Sequence, residues 1–146
     1  MICYAVIDTN VLVSALVSGN DDAATVQLLG RLIGGEITPV YSREIMNEYC
    51  EVLGRRKFKL DPNLASYILS TIEKFGIMVE PSPTGTIWPD MKDLPFYEVV
   101  MEKRDDNAYL VTGNLKHFPT EPFIVTPRQM LDILDGKIMK SESQSV

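Results

Sequence analysis

Apolar residues in this chain fall into short blocks, and the spacing inside each block predicts an element. Residues 2–7 are almost continuously apolar, as in a strand buried on both faces of a parallel sheet, and Asp8 ends the run. Residues 11–17 read as a helix. A second runs over 23–33, capped by Asp21 or Asp22 and stopped by Gly34 and Gly35. Residues 38–41 form a short strand, after which Ser42 can cap a helix that Gly54 can end. Asp61-Pro62 opens another helix, with Leu64, Ile68, Ile72 and Phe75 at helical spacing and Gly76 as its stop. Residues 77–79 make a third strand, and the Pro-, Gly- and Thr-rich stretch 81–93 is a loop. A helix over 94–103 has Pro95 in its first turn, a fourth strand covers 108–112, and Gly113-Asn114 stops it. Residues 123–125 are a fifth strand. Thr126-Pro127-Arg128-Gln129 is a capping box that opens a last helix to about residue 134.

Strands thus alternate with helices from end to end. That order predicts a three-layer α/β/α fold with a central, mostly parallel five-stranded sheet. One domain is expected over 1–136, followed by a frayed tail at 137–146. In open sheets of this kind ligands sit beyond the carboxyl ends of the strands.

Composition narrows the chemistry. With 146 residues, 45% of them apolar, the chain can bury a core. No apolar run reaches membrane-spanning length. The apolar start lacks a basic lead and a cleavage site, so it reads as a strand and the default compartment is the cytoplasm. Cys3 and Cys50 lie in apolar segments without a C-x-x-C pair and are expected to be buried, reduced thiols. His117 is the single histidine, and no G-x-S-x-G accompanies it, which leaves no basis for a Ser-His-Asp hydrolase or a Cys/His zinc site. The net charge of −6 argues against a polyanionic partner, unless part of the acid is gathered in one metal site where a bound cation reverses the local sign.

Each acid has a local explanation and a functional one. Asp8 follows the first buried strand and projects into the expected crevice with Thr9 and Asn10, although an isolated Asp there is better explained as a helix cap. Glu48 lies three residues after Ile45 and four before Val52, on or beside the apolar stripe of its helix, where a carboxylate needs a partner or a metal. A partly exposed edge position explains it equally well. Glu44 and Glu51 belong to the solvated face. Asp93 can be the cap of the helix after it, and Asp90 a loop residue. Thr112-Gly113-Asn114 ends the fourth strand on the crevice side, whereas Asp105 and Asp106 are turn residues at its opposite end. Taken together, Asp8, Glu48 and Asp93 come from distant segments whose ends can converge. Hard divalent cations take carboxylate oxygens, and such a site can activate water and stabilise charge on a phosphate.

These residues carry a resemblance. Val6-Ile7-Asp8-Thr9-Asn10-Val11-Leu12, Ser42-Arg43-Glu44-Ile45-Met46-Asn47-Glu48-Tyr49, Asp90-Met91-Lys92-Asp93 and Leu110-Val111-Thr112-Gly113-Asn114 resemble the PIN-domain nucleases, many of them toxins of prokaryotic toxin–antitoxin pairs. The resemblance covers roughly residues 3–134. It implies a Mg²⁺- or Mn²⁺-dependent endoribonuclease with Asp8, Glu48 and Asp93 as catalytic metal ligands. Thr9, Asn10, Asp90, Thr112 and Asn114 would be supporting groups. RNA is the implied substrate, an antitoxin protein the implied partner, and a homodimer is compatible with the family. Many members carry an acid where this chain has Asn114, and an amide there holds a second metal less tightly.

Phosphate contacts could come from Arg55, Arg56, Lys57 and Lys59, although basic residues also suit a helix end and a solvated surface. Lys116 and His117 are further candidates. One rival reading is a PIN fold that has lost catalysis and binds RNA or protein. Others fit less well: a haloacid-dehalogenase-type phosphatase needs an acid at position 10, which is Asn10, and a receiver domain needs a phosphoacceptor where Glu80-Pro81 follows the third strand.

Overall fold

In the computed structural model, which describes residues 3–86, 88 and 90–137, five strands alternate with six helices. The strands are β1 (Cys3–Ile7), β2 (Ile37–Tyr41), β3 (Ile77–Met78), β4 (Tyr109–Val111) and β5 (Ile124–Val125). The helices are α1 (Thr9–Val17), α2 (Ala24–Ile33), α3 (Arg43–Leu53), α4 (Pro62–Phe75), α5 (Leu94–Glu102) and α6 (Pro127–Leu134). The strands pair in the order β3-β2-β1-β4-β5, and every pairing is parallel.

β1 lies at the centre, with Ala5 opposite Pro39 on one side and Tyr109 on the other. Ala5, Val6 and Ile7 are sealed from solvent on both faces, which explains their unbroken apolar run. Ile7 faces Val11, Leu12 and Leu28 of α1 and α2. Tyr4, an odd number of residues away, points to the other face, where Lys103 at the end of α5 lies 5.6 Å from its ring. Helices therefore cover both sides. α6 packs on α2, and α3 touches α1, α4 and α5. The chain winds outward from β1 through β2 to β3, then returns to β4 and β5 on the opposite side. The order reverses between β1 and β4, and a crevice opens there at the strands' carboxyl ends.

The expected caps and stops largely form. The Ser42 hydroxyl accepts from Ile45 N at 3.2 Å, Asp61 accepts from Asn63 N at 2.9 Å, and Thr126 and Gln129 make the reciprocal capping box. Gly76 is required by close packing: a Cβ there would lie 2.3 Å from the Ile72 carbonyl oxygen and 2.7 Å from that of Pro39.

Three expectations need correction. Neither Asp21 nor Asp22 caps α2; Ala23 holds the cap position, and the Asp22 amide is tied back to Asn20. On α4, Ile68 and Ile72 are buried, but Leu64 and Phe75 are 44% and 66% exposed. Leu64 and Phe75 stand on the same face as Ile68 and Ile72 but in the first and last turns of this 14-residue helix, whose packing is against α3 and β2. Cys50 is exposed and Cys3 half-buried, both as free thiols. The buried face of α3 is Ile45, Tyr49 and Leu53, and Cys50 stands about 100° round from Tyr49. The tail expected at 137–146 lies, beyond Lys137, outside the described residues.

Candidate active site

Asp8 leaves β1 at the switch point. Its amide donates to Val111 O at 2.9 Å, which extends the ladder one residue past the strand, and the Thr112 amide likewise donates to Val125 O at 2.9 Å. The two side chains therefore stand side by side, and the Thr112 hydroxyl donates to Asp8 Oδ2 at 2.8 Å. The same hydroxyl accepts from Asn114 N at 3.0 Å, which fixes its rotor toward the carboxylate. Asp8 occupies the cap position of α1 but makes no side-chain capping bond there.

Glu48 arrives from the middle of α3. The Thr9 hydroxyl, in the first turn of α1, donates to Glu48 Oε2. Next to it on α3, the fully buried Tyr49 hydroxyl donates to the Ile7 carbonyl, which clamps α3 to the end of β1 one residue before Asp8. Burial pushes the Tyr49 phenol up, so it remains a donor. Asp93 stands at the start of α5 without capping it, and its Oδ2 instead lies 3.4 Å from His117 Nδ1.

Asp8, Glu48 and Asp93 thus line one cavity of about 530 Å³, together with Thr9, Asn10, Asp90 and His117. Thr112 and Asn114 do not line it. Thr112 acts on it through Asp8, and Asn114 lies behind Thr112. The lining also includes basic and aromatic side chains: Arg55, Lys57, Phe58 and Lys92. Arg55 is paired to Glu51, 2.8 Å away, and Glu51 belongs to the lining although it is 62% exposed. Arg56 and Lys59 line a separate groove between α3 and α4. Lys92, Phe58 and Glu51 were not anticipated. The signal for Lys92 was its place between Asp90 and Asp93 in a run already singled out.

All three acids titrate upward from the ordinary carboxylate range, and desolvation is the leading cause each time. For Asp8 the Thr112 bond and the nearby amides of Asn10 and Thr9 pull the other way. Asp8 also raises Glu48 and Asp93 by like-charge repulsion, whereas Lys92 lowers Glu48 and His117 lowers Asp93. The cavity therefore holds carboxylates that repel one another, with few cations to balance them. Among the described residues no three Asp, Glu, His or Cys side chains stand close enough together, as placed, to hold a metal ion between them. The donors are hard oxygens in an open set. Donors of this kind suit a hard divalent cation that binds through few carboxylates and keeps positions for water and phosphate.

A parallel α/β/α domain with a carboxylate cavity at its switch point is the class that fold and site define. Residues 4–116 match the PIN domain family, and the chain belongs to it. PIN domains are in general metal-dependent nucleases. The crystal structure of PAE2754 from Pyrobaculum aerophilum is similar over 92% of this chain and 90% of its own, with a TM-score of 0.54 and 14% sequence identity, a likeness of fold alone. No curated protein matches the sequence. No helix among the described residues is long and apolar enough to cross a membrane.

Proposed function

We propose that the chain is a metal-dependent endoribonuclease that hydrolyses RNA phosphodiester bonds and serves as the toxin of a prokaryotic toxin–antitoxin pair in the cytoplasm. The observation that carries this reading is the meeting of Asp8, Glu48 and Asp93, from β1, α3 and α5, in one desolvated cavity. Those three would hold Mg²⁺ or Mn²⁺. A bound divalent cation supplies Lewis-acid charge at the phosphate and a lowered pKa for water. In the reaction a water oxygen bonds to phosphorus, the ester P–O bond breaks, and a proton ends on the leaving sugar oxygen.

The chain's own groups prepare that exchange. Thr112 and Thr9 hold the Asp8 and Glu48 carboxylates in fixed orientations, so little reorganisation is needed when charge develops. Lys57 and Lys92 in the lining offer positive charge to the phosphates on either side of the scissile one. Asn10 and Asp90 line the cavity as supporting polar groups. An antitoxin would cover the cavity with a segment whose basic side chain meets these carboxylates. A homodimer is part of the same reading.

A second reading, a PIN fold that binds RNA or protein without cutting, is favoured by Asn114 and by the net charge of −6. The two separate in one experiment. The purified chain is incubated with a labelled mixed-RNA panel and Mg²⁺ or Mn²⁺, beside EDTA and Asp8→Asn controls. Metal-dependent cutting that both controls abolish supports the ribonuclease. RNA retained without cutting transfers the assignment to the binding module. Cutting that survives Asp8→Asn removes Asp8 from the mechanism.

A further inference from the structure

A second cavity, of about 470 Å³, adjoins the acidic one, and Asp90, Asp93 and His117 line both. The two are therefore halves of one trench. Their linings differ in kind. The second half adds Trp88, Phe118, Pro119 and the cation Lys116 in place of further acids. We infer that this half is a nucleobase subsite: Trp88 stacks an unpaired base next to the scissile phosphate, and Lys116 meets the phosphate beyond it. The inference rests on the ribonuclease reading and names the strand the trench accepts, which is single-stranded.

Three observations carry it. First, Trp88 is held rather than loose. Its ring meets Phe118 edge-on with centroids 5.5 Å apart and Tyr97 at 5.0 Å, and its indole N–H donates to Thr86 Oγ1 at 3.1 Å. A ring so positioned loses little freedom on stacking, and every base has a face to offer it. Second, Lys116 forms no ion pair with any described residue and lines the same cavity as Trp88 and Phe118. A free cation beside an aromatic wall suits a base and its phosphate. Third, the shared wall includes Asp93, so a base in the subsite lies one nucleotide or so from the carboxylates. A paired base is stacked inside its duplex and cannot enter, which selects single strands.

Trp88 is the single tryptophan, so the full chain carries its own probe. In EDTA, where metal-dependent cutting is stopped, a short single-stranded RNA is titrated while tryptophan emission is followed. The same strand with one abasic position and its duplex run beside it. Binding of labelled strands is measured by anisotropy for wild type, Trp88→Leu, Trp88→Phe and Lys116→Gln. Expected are saturable quenching by the single strand and affinity roughly 5- to 150-fold weaker for the abasic strand and the duplex. Trp88→Leu should lose that preference and Trp88→Phe keep most of it. Lys116→Gln should make the log–log salt dependence shallower by about 0.7. Equal affinity for intact and abasic strands, or strand binding that leaves the emission unchanged, overturns the subsite. So does an acidic peptide that quenches and displaces the RNA at lower concentration, since the trench then fits a protein segment better. The outcomes also separate this inference from the activity it rests on. Wild-type cutting that Asp8→Asn abolishes, without base preference, sinks the subsite alone. Base-dependent quenching without any cutting in Mg²⁺ or Mn²⁺ sinks the ribonuclease and leaves the subsite standing.

Discussion

Replacing Asp8 with asparagine should stabilise the protein without metal and weaken its response to metal, and both signs follow from its surroundings. Asp8 is 5% exposed, and its side-chain partner is the Thr112 hydroxyl at 2.8 Å. Glu48 and Asp93 share its cavity, and burial disfavours its charged form. The Asp8→Asn amide keeps the shape and leaves an oxygen for Thr112, while the buried charge is removed. One such charge costs on the order of 1–3 kcal/mol. For a chain of this size that is about 2–12 °C in Tm, upward, in EDTA at neutral pH. Metal acts oppositely. Mn²⁺ at a hundredfold excess over its Kd adds about 2.7 kcal/mol to the wild type, roughly 5–11 °C, by binding the folded state. The variant, with one ligand neutral, should gain little. Scanning calorimetry of both proteins in EDTA and in excess Mn²⁺ gives four melting temperatures. A variant that melts below wild type in EDTA would refute the claim that this charge is uncompensated. An equal Mn²⁺ shift in both proteins would refute Asp8 as a ligand.

Three further outcomes are expected. The advantage of Asp8→Asn in EDTA should depend on pH: the Asp8 pKa is raised in the folded chain, so its contribution is present below the unfolded value and lost as pH rises through the folded one. Urea midpoints of the two proteins should therefore converge in acid and separate toward neutrality; a constant gap counts against the shift. Thr9→Val removes the hydroxyl that holds Glu48 and should raise the Mn²⁺ Kd about tenfold or more by calorimetric titration; an unchanged Kd frees Glu48 from that role. Gly76→Ala forces a Cβ against two carbonyl oxygens and should cost about 1–3 kcal/mol by urea unfolding, whereas Gly113→Ala, with nothing within 4 Å, should stay within about 0.5; equal costs would contradict the close approach.

Much of the fold was legible in the chain because its elements are specified locally. The apolar run of β1, the Ser42 and Asp61 caps, the Thr126–Gln129 box and the stops at Gly54 and Gly76 act within a few residues of themselves. Alternating strands and helices then leave few topologies, and the parallel sheet follows. The local signals failed where a neighbour decides. Leu64 and Phe75 carry the right spacing but fall in the end turns of α4, and Cys50 sits in an apolar segment yet on the open side of α3.

The site divides the same way. By itself the sequence determined which side chains could do this chemistry: Asp8 at a strand end, Glu48 beside an apolar stripe, Asp93 before a helix. Each reading had a rival in a cap or a solvated edge, because a single segment cannot report what faces it. Only the tertiary structure decided which of these side chains meet. It left Asp8 and Asp93 without capping bonds and joined Glu48 to Thr9 across 39 residues and Thr112 to Asp8 across 104. It also brought Lys92 and Phe58 into the lining of the same cavity and opened the aromatic half of the trench beside Asp93. Capping and turn formation depend on bonds between near neighbours and are written locally. Desolvation and charge repulsion depend on what packing brings within a few ångströms, and that is set by the whole chain at once.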